Sequence, residues 1–319
     1  MLDPWLYNCV AEMITRAMKP DQIDEAGCLL MKHYCSHTLL GIDKHITVST
    51  RKAAAALLNE CIEKGYEERL LKFLVEIDGN PLLGKVVQLD GIEELLSAMA
   101  RSGYIYDEKK RKIRVLKEDI RELTGWGALK VGRYYDITVV SIDIAGSSAI
   151  VKKHGMKKAE RLYFHFWSFL RRILAVYDGR IWNWAGDGGI IAFTFKGHQK
   201  RALMFALELQ SLMELFNADP DRPVNEAIRL RMGLDWGKIK YLSDTGQIVS
   251  ETINYAAHLE KGFTSPGGIS ASAELITAVP GSLKAMFRSG GTFEGRKAWR
   301  CIREERQGID EPDDTRRRA

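Results

Sequence analysis

Between Tyr135 and Ser148 the chain reads YDITVVSIDIAGSS, an apolar run that stops at Asp143 and gives way to small residues. A run of that length and β-branched content is a buried strand, and the small residues open a long helical pattern from Ser147 to Tyr177. RIWNWAG and GIIAFTF then read as a hairpin turning about Gly186 to Gly189. Beyond it, Gln199 to Phe216 is helical, IRLRMGLDWG and KIKYL are strands, and Glu251 to Lys261 is another helix. The order β-α-β-β-α-β predicts an α+β fold built on a ferredoxin-like or palm sheet.

The preceding third of the chain has a different rhythm. VAEMITRAM, RKAAAALLNECIEKG, EERLLKFLVEI and IEELLSAMARSG place apolar residues three and four apart, as helices do. Ser49 or Thr50 suits a cap for the second of these, and Gly65, Gly79 and Gly103 stand where left-handed residues end helices. YIYDEKKRKIRVL follows, two short β-prone runs around a charged turn, as in the wing of a winged-helix module. Lys109 to Lys112 at its tip read either as a contact to a phosphate backbone or, by preference, as a solvated turn. GWGALKVG then loses helical periodicity. The expected organisation is therefore a helical domain over 1–124, winged-helix in part, a linker over 125–133, the α+β domain over 134–303 and a charged disordered tail over 304–319.

Composition narrows the classes. With 319 residues, 45% hydrophobic and 28% charged, the chain buries an ordinary core, which excludes a disordered, collagenous or disulfide-stapled protein. No apolar run approaches the roughly 20 residues that span a bilayer, and MLDPWLYNCV lacks a signal peptide's basic start, so a cytoplasmic protein without membrane insertion is expected. Five scattered cysteines without a CxxC pair read as reduced thiols. Cys28, His33, Cys35 and His37 raise zinc, but no second ligand pair stands at a finger spacing, and a helix with mixed faces is the preferred reading there. A net charge of +5 is too mild to imply a nucleic-acid partner.

The chemistry gathers at two aspartates. Asp143 ends the strand beside a turn that opens a helix, a place where a carboxylate and backbone N–H groups serve a cation and a phosphate together. Asp187 sits at the hairpin tip in AGDGG. If the two strands are sheet neighbours, the carboxylates share one edge and can share hard cations around a triphosphate. Taken singly, Asp143 reads as a helix cap and Asp187 as a turn residue.

VVSIDIAGSSAI, NWAGDGGIIAF, RLRMGLDWGKI and ETINYAAHLEKGFTSPGGISAS, in this order, resemble the successive motifs of class III nucleotidyl cyclases over about Tyr134 to Cys301. The resemblance implies formation of a cyclic nucleoside monophosphate from a nucleoside triphosphate, by a homodimer with sites at the subunit interface and two divalent cations, Mn²⁺ or Mg²⁺. It implies that Asp143, Ile144 and Asp187 hold the metals, that Ala145, Gly146, Ser147 and Ser148 hold phosphates, and that Asn254 reaches the site from the other subunit.

Three positions depart from that pattern. Asn183 stands where purine cyclases carry a lysine, Gln247 where an acidic residue is common, and His258 where an arginine follows the asparagine by four. Amides both donate and accept, so Asn183 and Gln247 are suited to a base other than adenine. His258 would need to be protonated, or Lys261 to substitute, to neutralise charge on the α-phosphate. Within the family, WGALKVGRYYDITVVSIDIAGSS and NWAGDGG are similar to bacterial Pycsar pyrimidine cyclases, which implies cyclic UMP or cyclic CMP as an anti-phage signal for a separate effector, with UTP preferred to CTP. A purine cyclase, a catalytically dead nucleotide-binding or dimerisation module, and a DNA-binding regulator remain as alternatives.

Overall fold

A computed structural model describes residues 4–115, 119 and 122–302. The chain divides into two compact units, one running to Tyr135 together with Lys240–Ile248, the other comprising Asp136–Ile239 and the chain from Val249 onward. No helix among the described residues is long and apolar enough to cross a membrane.

The first unit is mainly helical: α1 (Pro4–Ala17), α2 (Pro20–Leu30), α3 (Ser36–Leu40), α4 (Thr50–Glu63) and α5 (Glu67–Ile77) precede a hairpin of β1 (Asn80–Leu82) and β2 (Lys85–Val87), and then α6 (Ile92–Arg101) leads to a hairpin of β3 (Tyr104–Asp107) and β4 (Lys112–Val115). The four periodic segments are α1, α4, α5 and α6, and their apolar faces meet around Leu57, Leu70, Leu74 and Leu95, all buried. Ser49 caps α4, its hydroxyl accepting from the Lys52 N–H at 3.4 Å. At the second hairpin Arg111 donates from Nε to Glu76 Oε1 at 3.1 Å, so one of the four basic residues of the expected wing tip is committed to α5.

Two expectations for this unit change. The stretch from Cys28 to His37 is not one mixed helix: α2 stops at Leu30, His33 takes a φ of +63°, and α3 begins at Ser36. The Tyr34 ring folds back against Gly27, where a Cβ would lie 2.0 Å from Tyr34 Cδ1. Residues 125–133 are built into the unit rather than linking two others. Trp126 is fully buried, the Gly132 N–H donates to the Tyr241 carbonyl and the Tyr241 N–H to the Arg133 carbonyl, each at 2.8 Å. The tail expected over 304–319 lies outside the described residues.

In the second unit β5 (Tyr134–Ile144) is followed by α7 (Ser147–His154) and α8 (Met156–Val176), the hairpin of β6 (Arg180–Ala185) and β7 (Gly188–Phe193), α9 (His198–Ala218) and β8 (Leu230–Lys240). This is the expected β-α-β-β-α-β order. The long helix breaks at Gly155, whose φ is +82°, and the two strands read around Trp236 are one. After β8 come α10 (Glu251–His258), a π-helical turn (Leu259–Phe263), β9 (Gly268–Ser272), α11 (Ala273–Thr277), α12 (Gly281–Lys284), β10 (Phe287–Phe293) and β11 (Arg296–Cys301). The sheet runs β10-β11-β9-β8-β5-β7-β6. Its first four strands in sequence therefore lie in the order β8-β5-β7-β6, the ferredoxin-like arrangement with β5 central. Val140, Ile142, Leu162, Phe166, Phe205 and Leu234 form the core between the sheet and the helices.

Candidate active site

β5 and β7 are antiparallel neighbours, and their register pairs Asp143 with Gly188. Asp187, one residue earlier in the tight β6–β7 turn, is thereby brought beside Asp143. Gly188 permits this approach, since a Cβ there would lie 2.3 Å from the Ile142 carbonyl oxygen. Burial raises the pKa of the Asp143 carboxyl, and the charge of Asp187 raises it further, against the opposing pull of Arg231.

Arg231, near the start of β8, is the cation of this site. Its Nη2 donates to Asp143 Oδ2, and its Nε to Glu260 Oε1 at 3.0 Å. Glu260 belongs to the π-helical turn and is buried. Burial first, and the Asp143 charge second, push its pKa up to about 7, against the opposing pull of Arg231. The close approach requires Gly233: a Cβ there would lie 2.2 Å from the Ala256 carbonyl oxygen and 2.5 Å from the Glu260 nitrogen. Tyr163 on α8 borders the same place, donating to the Ser147 carbonyl at 3.4 Å, and its phenol is raised by burial and by Asp187. Sequence reasoning did not single out Arg231, Glu260 or Tyr163. The available signal was an arginine between the buried Leu230 and Met232 in a central strand.

The turn after Asp143 is partly as expected. Gly146 has a φ of +77° and precedes α7, whose first N–H groups, at Ser147 and Ser148, lack intrahelical partners as at any helix start. The Ala145 N–H, by contrast, donates to the Arg229 carbonyl at 2.8 Å, so the expected phosphate contact from Ala145 is already spent on β8's approach. The Ile144 side chain is fully buried, which leaves its backbone carbonyl as the group it can offer a metal.

The remaining residues lie apart. Asn254 and His258 are both exposed on α10, one turn from each other and on one face. No hydrogen bond or ion pair among the described residues joins either to Asp143 or Asp187; His258 Nδ1 instead meets Glu294 Oε2 at 3.0 Å. Asn183 is exposed on β6, the edge strand, next to a register shift that leaves Trp182 buried. Trp184 packs against Phe166. Gln247 groups with the first unit, and its Nε2 donates to Asp244 Oδ2 at 2.9 Å.

Asp143 and Asp187 thus bring two carboxylates together at the end of β5, with the Arg231 guanidinium shared between Asp143 and the buried Glu260. That donor set fits divalent cations of the Mg²⁺ and Mn²⁺ type.

Comparison with known proteins places the chain beside cyclases. Solved structures similar to it include the adenylyl cyclase CyaB from P. aeruginosa, 19% identical with a TM-score of 0.46 over 55% of this chain and 97% of that one. An adenylate/guanylate cyclase/hydrolase from Silicibacter pomeroyi is 24% identical with a TM-score of 0.46 over 54% and 99%. Among curated proteins, a cytidylate cyclase from Staphylococcus aureus is 26% identical over 153 residues, in agreement with the resemblance carried by the motifs. The match takes in 41% of this chain and 36% of the length of that relative. No protein-family model matches the chain.

Proposed function

We propose that the protein is a nucleotidyl cyclase that converts a pyrimidine nucleoside triphosphate to its 3′,5′-cyclic monophosphate and pyrophosphate. The observation that carries this reading is the meeting of Asp143 and Asp187 at one sheet edge, with Arg231 alongside and the N-terminus of α7 following directly. Asp143, Asp187 and the Ile144 carbonyl would hold the cations. Two divalent cations bound there lower the pKa of the ribose 3′ hydroxyl and neutralise triphosphate charge.

The chain's own groups supply the rest. Arg231 and the N–H groups at Ser147 and Ser148 bind phosphate oxygens, which fixes the leaving pyrophosphate in line with the attacking oxygen. The O3′–phosphorus bond forms as the bond from the α-phosphorus to the bridging oxygen breaks, and the hydroxyl proton passes to solvent. Asn254 and His258, exposed on one face of α10, reach the site of a partner subunit in a homodimer, where Asn254 orients the ribose and His258, or Lys261 in its place, faces the α-phosphate. Asn183 and Gln247 contact the base. UTP is the favoured substrate and CTP the second, a reading that the likeness to a cytidylate cyclase supports as far as a pyrimidine. The product would serve as a messenger to a separate effector in anti-phage defence.

The test is incubation with ATP, GTP, CTP and UTP under Mn²⁺ and then Mg²⁺, with products identified by mass spectrometry. Cyclic UMP or cyclic CMP is expected, abolished by Asp143→Ala and by Asp187→Ala in folded protein. Cyclic AMP or cyclic GMP would overturn the specificity, and tight metal-dependent nucleotide binding without any cyclic product would overturn the activity.

A further inference from the structure

Far from the carboxylate pair in sequence, the first unit gathers three different metal-binding side chains. Asp24 lies on α2, Cys35 immediately precedes α3, and His37 is the second residue of α3. A carboxylate oxygen, the thiol sulphur and a ring nitrogen from the three lie within 4.8 Å of one another.

The surroundings arrange these donors. Asp24 Oδ1 accepts the Ser36 N–H at 3.1 Å, which ties α2 to the start of α3 and leaves the second carboxylate oxygen unclaimed by that bond. His37 Nε2 lies 3.0 Å from the Ile46 carbonyl oxygen. A carbonyl can only accept, so Nε2 carries the proton and Nδ1 the lone pair, the outer contact that metal-ligating histidines make.

Two buried hydroxyls next to the donors in sequence also lack partners. Ser36, between two of the donors in sequence, is 1% exposed and its Oγ has no hydrogen-bond partner; the Tyr34 hydroxyl, 7% exposed at the residue level, has none either. Orphaned buried oxygens are costly unless a water or ion satisfies them.

We infer that Asp24, Cys35 and His37 form a binding site for a borderline-soft divalent cation of the zinc type, with a fourth position open to water. One thiolate, one imidazole and one carboxylate suit Zn²⁺ or Co²⁺ and disfavour Mg²⁺ and Ca²⁺, which take oxygen ligands. The site is independent of the cyclase reading. Bound metal would pin α2 to α3 across the irregular turn at 31–35, so occupancy or thiol oxidation would alter the stability of the helical unit.

The experiment is a Co²⁺ titration of the full-length, reduced protein, read by thiolate-to-cobalt charge-transfer absorption. Oxygen ligands at Asp143 and Asp187 give no such band. The expected result is a band that saturates at one equivalent, is bleached by Zn²⁺, is lost in Cys35→Ser and is unchanged in Cys28→Ser. Asp24→Asn, which keeps an acceptor for the Ser36 N–H, should remain folded by circular dichroism and bind Co²⁺ at least tenfold more weakly. Absence of the band, its survival in Cys35→Ser, or unaltered affinity in Asp24→Asn would each overturn the site, and the last holds even if Cys35→Ser fails to fold.

Discussion

Arg231 pairs with Asp143 through a single guanidinium nitrogen while its Nε holds Glu260 at 3.0 Å. The arginine thus balances the Asp143 carboxylate, and in the proposed cyclase it would turn to phosphate oxygens once a cation took over that role. A surface ion pair would contribute little, but this one is partly buried and joins strand β8 to the end of β5.

Arg231→Ala should therefore have two opposite effects. Removing the competing guanidinium frees Asp143, so Mn²⁺ binding to nucleotide-free protein, followed by electron paramagnetic resonance, should tighten. Turnover should fall by about a hundredfold, the usual consequence of losing one charge-stabilising donor. A variant that loses both metal binding and turnover would show that Arg231 only props up the fold.

The approach of β8 to α10 sets a second prediction. Any Cβ at Gly233 meets the backbone at Ala256 and Glu260, neither of which can rotate away. Gly233→Ala should cost about 2 kcal/mol or more in urea unfolding, as overpacking does. Gly281→Ala is the control, since a Cβ there meets nothing within 4 Å, and it should stay within about 0.5 kcal/mol. Equal effects from the two would sink the close-approach argument.

Glu260 makes stability depend on pH. Its pKa rises from the ordinary 4.5 to about 7 on folding, through burial and the neighbouring Asp143. The folded state then binds the proton more tightly than the unfolded one. The contribution is full below pH 4.5 and is lost as pH climbs through 7, by up to about 3 kcal/mol. Glu260→Gln keeps an acceptor for Arg231 and cannot ionise, so its unfolding free energy should fall less between pH 4.5 and 8 than that of the parent. Parallel curves would refute the assignment.

What the sequence made legible here was local. The strand ending in Asp143, the glycine-flanked turn at Asp187 and the β-α-β-β-α-β order follow from periodicity and turn chemistry within short windows. Arg231 and Glu260 depend on a strand and a helical turn 29 positions apart meeting over a glycine, which no window contains. The spent Ala145 N–H likewise belongs to a distant partner, Arg229. The first half of α2 escaped because PDQIDEAGCLL carries proline, glycine and two aspartates that weaken its propensity, while tertiary burial of Ile23 and Ala26 holds it. The break after Leu30 hid the Asp24–Cys35–His37 cluster, since cysteine and histidine were weighed there without the carboxylate from α2.

Substrate choice gives the last prediction. The register shift between Ile181 and Asn183 buries the Trp182 side chain and leaves Asn183 exposed on the edge strand, where its amide offers a donor and an acceptor at once. A lysine there donates only, so it cannot satisfy a pyrimidine edge that presents both functions. Asn183→Lys should lower pyrimidine turnover at least tenfold and shift the product ratio toward purine cyclic nucleotides, when all four triphosphates compete and products are resolved by mass spectrometry. Because the side chain is exposed, the variant's unfolding free energy should stay within about 0.5 kcal/mol of the parent, which separates a lost contact from a damaged fold. An unchanged product ratio in both Asn183→Lys and Asn183→Ala would remove Asn183 from the base contacts and leave selection to other residues.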